Sequence, residues 1–246
     1  MVDIIGGILK ALQLIVTGDP TLYGIVYRSL LFSGIAIILA TLWGTPIAMV
    51  LSLKNFRGKT LVKTLFNSLI GIPTVVLGLA LYLVFSNGGP LGPLGLLYTP
   101  GAIILGEAIL VTPILVSITA SAIEAVDPEI MNLAKTLGAN ESQASVAVLK
   151  EAVNGVLLSN IASFNRAIAE LGVALMVGGN IAGLTDVLTT AISRYTARGE
   201  LDLAIALGII LMVIVFLINA VVIMARKAKW LLTIWRRAPS LIEPPS

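Results

Sequence analysis

Cysteine and histidine are both missing from this 246-residue chain. Their absence removes disulfides, thiolate nucleophiles and the two commonest transition-metal ligands together, so neither redox nor zinc chemistry is expected. Charge is scarce as well: Asp, Glu, Lys and Arg make up 12% of the residues, against about 25% in an ordinary soluble domain. The net charge of +3 is too small to point to nucleic acid. A nucleotide-binding loop is also lacking. The stretch FRGKT, 56–60, contains G-K-T, but a phosphate loop needs a first glycine five residues before Gly58, and Leu53 stands there. The first 20 residues do not run through a basic region, an apolar core and a cleavage site, so no signal peptide is expected, and 4–16 reads as a short amphipathic helix.

What fills the chain instead is apolar: 57% of the residues are hydrophobic and the mean hydropathy is +1.01. A helix needs about 20 apolar residues to cross the hydrocarbon core. Five stretches qualify, at about 30–53, 61–85, 101–122, 153–175 and 203–224, and together they predict one transmembrane domain over 1–246. Basic residues set orientation. Lys54, Arg57, Lys59 and Lys63 follow the first stretch, Lys135 and Lys150 the third, and Arg226, Lys227, Lys229, Arg236 and Arg237 end the chain. Placing these in the cytoplasm puts 11 of the 16 basic residues inside, leaves the N-terminus outside and makes 127–151 cytoplasmic.

That cytoplasmic insert, DPEIMNLAKTLGANESQASVAVLKE, is fit for water. Asp127 and Pro128 suit the N-cap and first position of a helix, on which Ile130, Ala134 and Leu137 recur on one face. Gly138 suits its end, and Asn140 with Gln143 forms a variant capping box for a second helix. A short helix outside the bilayer with an apolar stripe, including Met131, needs a surface to bury it. A solvated connector does not.

In the fourth stretch, Leu157, Ile161, Phe164, Ile168, Leu171 and Leu175 form an apolar stripe, with Ser159, Ser163, Arg166 and Glu170 on the opposite side. Charges inside a span cost at least about 2.5 kcal/mol each, so Arg166 and Glu170 are expected to face inward, as a pathway element or as a buried ion pair. They can pair with each other, and Glu107 is an alternative partner for Arg166. Gly178, Gly179 and Gly183 permit a turn whose N–H groups cradle an anion, with Asn180 and Thr185 as neutral donors; an ordinary outer loop uses the same residues. On the second stretch, Asn67, Gly71, Thr74 and Gly78 form a small-residue face suited to close approach of another helix, beside a kink at Pro73.

NLAKTLG followed by a long helix resembles the coupling loop of ABC-importer permeases, whose pattern is E-A-A-x-x-x-G and then I-x-L-P. Ala134 and Gly138 match it, Asn132 and Leu133 replace the glutamate and first alanine, and the I-x-L-P end is absent. The run AELG at 169–172 and GGNIAG at 178–183 is similar to the G-E-F-G-A and A-G-N-I-P-G of oxyanion permeases, and the version with VLTTAI looks closest to the tungstate permeases.

The resemblance implies an all-α integral membrane subunit of the type I ABC importer permease (MetI-like) fold, with about five spans, in the cell membrane. It implies a homodimer joined by two cytoplasmic ATPase subunits and an extracytoplasmic oxyanion-binding protein. The coupling segment would be Pro128, Ile130, Met131, Ala134, Leu137 and Gly138. A pathway through Asn67, Thr74, Glu107, Ser159, Ser163, Arg166, Glu170, Asn180 and Thr185 would carry tungstate, with molybdate or sulfate as the alternative. The chain would be no enzyme and bind no cofactor, ATP and Mg being used by the ATPase. A rival of a different class is an ATP-independent secondary transporter or channel.

Overall fold

Helices account for the architecture, as the apolar runs require, because a backbone in hydrocarbon must satisfy its own hydrogen bonds. The computed structural model describes residues 4–237. Among them the order is α1 (Ile4–Thr17), α2 (Pro20–Leu53), α3 (Lys59–Leu69), α4 (Thr74–Phe85), a single 3-10 turn (Gly92–Leu94), α5 (Pro100–Glu124), α6 (Pro128–Thr136), α7 (Glu141–Glu151), α8 (Val153–Ile168), α9 (Gly172–Gly178), α10 (Leu188–Ala197) and α11 (Leu201–Arg237). No strand occurs among the described residues. The basic residues expected at the end of the chain have no described side chains, and the tail 238–246 lies outside the described residues.

Among the described residues three segments are long and apolar enough to cross a membrane alone: Pro20–Leu53, Pro100–Glu124 and Leu201–Val221. Two further pairs of helices are bent at a short break, α3 with α4 at 102° and α7 with α8 at 68°, and counting each pair as one span gives five. Helix α2 starts ten residues before the first expected stretch. Asp19 caps it, accepting from the Leu22 N–H at 3.0 Å, and Pro20 opens it. The expected kink at Pro73 is a full break, since Pro73 is extended and α4 begins only after it. The apolar run 153–175 is likewise two helices, α8 and α9, separated at 169–171.

The chain forms two units, Met1–Gly208 and Ile209–Ser246. In the first, α5 is the central helix, packing on α2, α3, α8 and α9. Small residues allow this: Ala36, Ala40, Ala108 and Ala167 sit at the crossing of α2, α5 and α8, with Val111 and Leu115 between them. At Gly155 a Cβ would stand 2.2 Å from that of Ala122, so only glycine lets α8 cross α5 there. Polar groups tie the same helices: the Trp43 N–H donates to Thr112 at 2.7 Å, and Ser52 donates to the Ala120 carbonyl at 3.1 Å. The second unit continues α11 as an apolar helix.

The small-residue face reads differently in three dimensions. Asn67 and Gly71 lie before the 102° break and Thr74 and Gly78 after it, so they do not share one helix face. Gly78 packs on the Gly172 carbonyl and Met176, and Thr74 on Gly172. Thr74 and Gly78 are thus covered inside the chain by α9, whereas Asn67 and Gly71 are exposed.

Candidate functional site

Helix α6 is built by its own ends. Asp127 accepts from the Glu129 N–H at 2.9 Å, and Pro128 takes the first position. At the other end Gly138 has φ +88°; its N–H reaches the Lys135 carbonyl and that of Ala139 reaches Ala134, at 3.0 Å each. This paired stop needs a left-handed residue, which glycine supplies without strain. Asn140 and Gln143 then exchange side chain to backbone bonds at 2.9 and 3.0 Å, capping α7.

The apolar stripe of α6 is divided. Ile130 and Met131 are packed within the chain, on a cluster of Ile123, Val148 and Ala152 that Met49 and Leu53 at the end of α2 also cover. Ala134 is half-buried. Leu137 is 79% exposed and Leu133, which the sequence pattern did not bring out, is 57% exposed. Spaced i, i+4, these two leucines form an outward apolar pair. Cavities of about 420 and 540 Å³ flank the helix, the first lined by Asp127, Ile130 and Gly155, the second by Met49, Lys54, Met131 and Lys135.

Between α8 and α9, Arg166 Nη1 donates to Glu170 Oε2 at 2.7 Å, and the Val173 N–H donates to Oε1 at 3.0 Å. Glu170, 1% exposed, therefore pairs with Arg166 and caps α9 at once, where a helix favours negative charge. Glu107 is not the partner of Arg166. It is buried in α5 beside Ser33, and its Oε2 has no hydrogen-bond partner among the described residues. The serine stripe is buried too. Ser159 bonds Thr119 of α5 at 2.7 Å and donates to the Val156 carbonyl at 2.8 Å, while the buried Ser163 hydroxyl has no hydrogen-bond partner among the described residues. Ser159 faces α5, so at that point the polar side of α8 is a helix interface. Asn67, by contrast, lines a cavity of about 90 Å³ between α3 and α5.

In the glycine turn the candidate donors already have partners within the chain. Thr185 donates to the Gly178 carbonyl at 2.6 Å and accepts from the Ile181 N–H at 2.9 Å, and the Asn180 amide donates to the Thr190 carbonyl at 3.0 Å. Thr185 is thus engaged within the loop and Asn180 with α10. The anion in the turn is the chain's own: Asp186 accepts from the Gly183 N–H at 2.9 Å. Arg28 of α2 lies 2.6 Å from the same carboxylate and Arg194 of α10 lies 3.0 Å from it. This cluster is absent from the sequence reading because Arg28 precedes the expected first span and its partner is 158 residues away.

A sequence profile described as "Binding-protein-dependent transport system inner membrane component" matches residues 24–229. The chain belongs to that family of membrane permeases. The permease is 38% identical over 216 residues to "Tungstate uptake system permease protein TupB" of Peptoclostridium acidaminophilum, a match covering 88% of this chain and 95% of that one. It is 36% identical over 217 residues to the protein of the same name from Campylobacter jejuni subsp. jejuni, covering 88% and 90%. Among solved structures, the MetNI methionine ABC transporter in an inward-facing conformation matches with a TM-score of 0.68 at 16% identity, covering 86% of the permease and 98% of that chain. At this identity the likeness speaks for the fold, which is the all-α, MetI-like fold of type I ABC importer permeases.

Proposed function

We propose that this permease is the membrane subunit of an ATP-driven importer for tungstate or a closely similar tetrahedral oxyanion. The substrate rests on the two relatives named for tungstate uptake, each matched over most of its length. The ATP-driven part rests on one observation, the division of α6. Ile130 and Met131 hold the helix to the ends of the membrane helices, while Leu133 and Leu137 are offered outward as a pair. A helix fixed on one side and sticky on the other is a lever. An ATPase subunit gripping the leucines pushes on α2, α5 and α7 through the buried face.

In this reading two copies of the chain form the pathway, two ATPase subunits bind ATP and Mg on the cytoplasmic side, and a binding protein delivers the anion from outside. The chain itself carries no catalytic group and holds no cofactor. The N-terminus is outside, the insert and the C-terminus are cytoplasmic, and the exposed faces of α2 and α11 meet lipid. Molybdate or sulfate remains the alternative cargo.

The test is uptake into sealed vesicles containing the permease, its ATPase and its binding protein, with tungstate, molybdate and sulfate compared. ATP-dependent tungstate uptake that survives excess sulfate is expected, and Leu137→Asp should remove it while leaving the helix intact. Uptake that proceeds without ATP, or ignores Leu137→Asp, overturns the reading.

A further inference from the structure

The cavity between α3 and α5 offers polar groups to a small ligand. We propose that it is a low-affinity oxyanion site at the cytoplasmic end of the route, an inference that rests on the transport reading above. Lys63 and Asn67 on α3 face Ser117 and Ser121 on α5, two pairs spaced i, i+4 on opposed helices, over an apolar floor that includes Leu51 and Val116. The volume of about 90 Å³ equals that of roughly three water molecules. One four-oxygen anion stripped of its water fills such a space.

The lining chooses the sign of the ligand. Lys63 repels cations, and no carboxylate lines the cavity. The Ser117 hydroxyl is buried with no hydrogen-bond partner among the described residues, so it has a proton to give. The Asn67 amide can donate, and Ser121 can as well once it turns from the Ser117 carbonyl, to which it now donates at 3.0 Å. An apolar ligand would leave these groups unsatisfied, and an oxyanion accepts from all of them.

The grip is also limited by design of the charges. Lys63 is bound at the mouth by Glu124, in the last turn of α5, so the single cationic charge is shared with a fixed carboxylate. A dianion held by one shared charge and neutral dipoles binds weakly and leaves readily. Glu124 stands three residues before Asp127, the cap of α6. An anion that draws Lys63 toward itself loosens a tether immediately beside the coupling helix.

The experiment is equilibrium dialysis of tungstate against the purified complex of permease and ATPase without its binding protein, alongside vesicle uptake by the full system. Lys63→Met should weaken binding roughly tenfold and Ser117→Ala several-fold, as for loss of a charge-assisted and a neutral hydrogen bond. Glu124→Gln should act oppositely, tightening binding and slowing release, a gain that misfolding cannot imitate. A wild-type system that moves tungstate, with all three variants binding it as wild type does or with Glu124→Gln binding it more weakly, overturns this inference alone. A wild-type system that moves none of tungstate, molybdate or sulfate overturns the transport reading and this site with it.

Discussion

Asp186 is 2% exposed and faces two arginine side chains that are 18% and 12% exposed. Each arginine alone would be an expensive charge to bury, and the one carboxylate, tied also to the Gly183 N–H, makes both tolerable. Removing one partner of a buried pair costs about 3–5 kcal/mol, because the remaining charge is left uncompensated. Asp186→Asn is therefore expected to lower the melting temperature of the detergent-purified permease sharply. Adding Arg194→Gln to it should recover part of the loss, since one stranded charge is then gone. If the single variant melts like the wild type, the cluster is not holding α2, α10 and the loop together. Arg166 and Glu170 differ in being legible from the sequence, because their partners are one turn apart on a single run of chain. Asp186 was not legible, because nothing local announces that residue 28 will reach it.

Helix ends were the best-read elements, and for the same reason. Asp127, Pro128, Gly138, Asn140 and Gln143 act on backbone groups within four residues, so their chemistry can be read before any packing is known. Gly138 gives a direct check. No heavy atom lies within 4 Å of where its Cβ would be, so any effect of substitution comes from its φ of +88° alone. Gly138→Val should cost about 1–2 kcal/mol and reduce ATP-coupled uptake, whereas Gly138→Asn, tolerated in this conformation, should stay near wild type. Equal uptake by the two would remove the stop from the mechanism. The failures at this scale come from assuming a continuous helix. The small-residue face was projected across Pro73, where the axis turns by 102°. The serine stripe of α8 was polar as expected, but polarity alone does not distinguish a wet wall from a tight crossing at which Ser159 meets Thr119.

For the whole molecule, scarcity of charge and the apolar runs were sufficient to give a helical membrane protein, and the capped insert was sufficient to suggest an outside partner. Composition did not say which helices bend or which faces of α4 and α9 close on each other. Thr74 and Gly78 are covered by α9 while Asn67 and Gly71 stay exposed, so only half of the small-residue surface is open to the proposed dimer. Light scattering of the purified complex should nonetheless give two 25.8 kDa permease chains for two ATPase subunits; a one-to-one assembly would exclude a pathway between copies. One last consequence follows from the loop that Asp186 occupies. A seat already filled by a tethered carboxylate cannot be rented by a solute, so in the proposed orientation the outer mouth is no trap for ions in the medium. In the proposed importer, fidelity then resides in the extracytoplasmic binding protein, and re-addressing the importer to another oxyanion becomes a matter of exchanging that protein while this chain stays as it is.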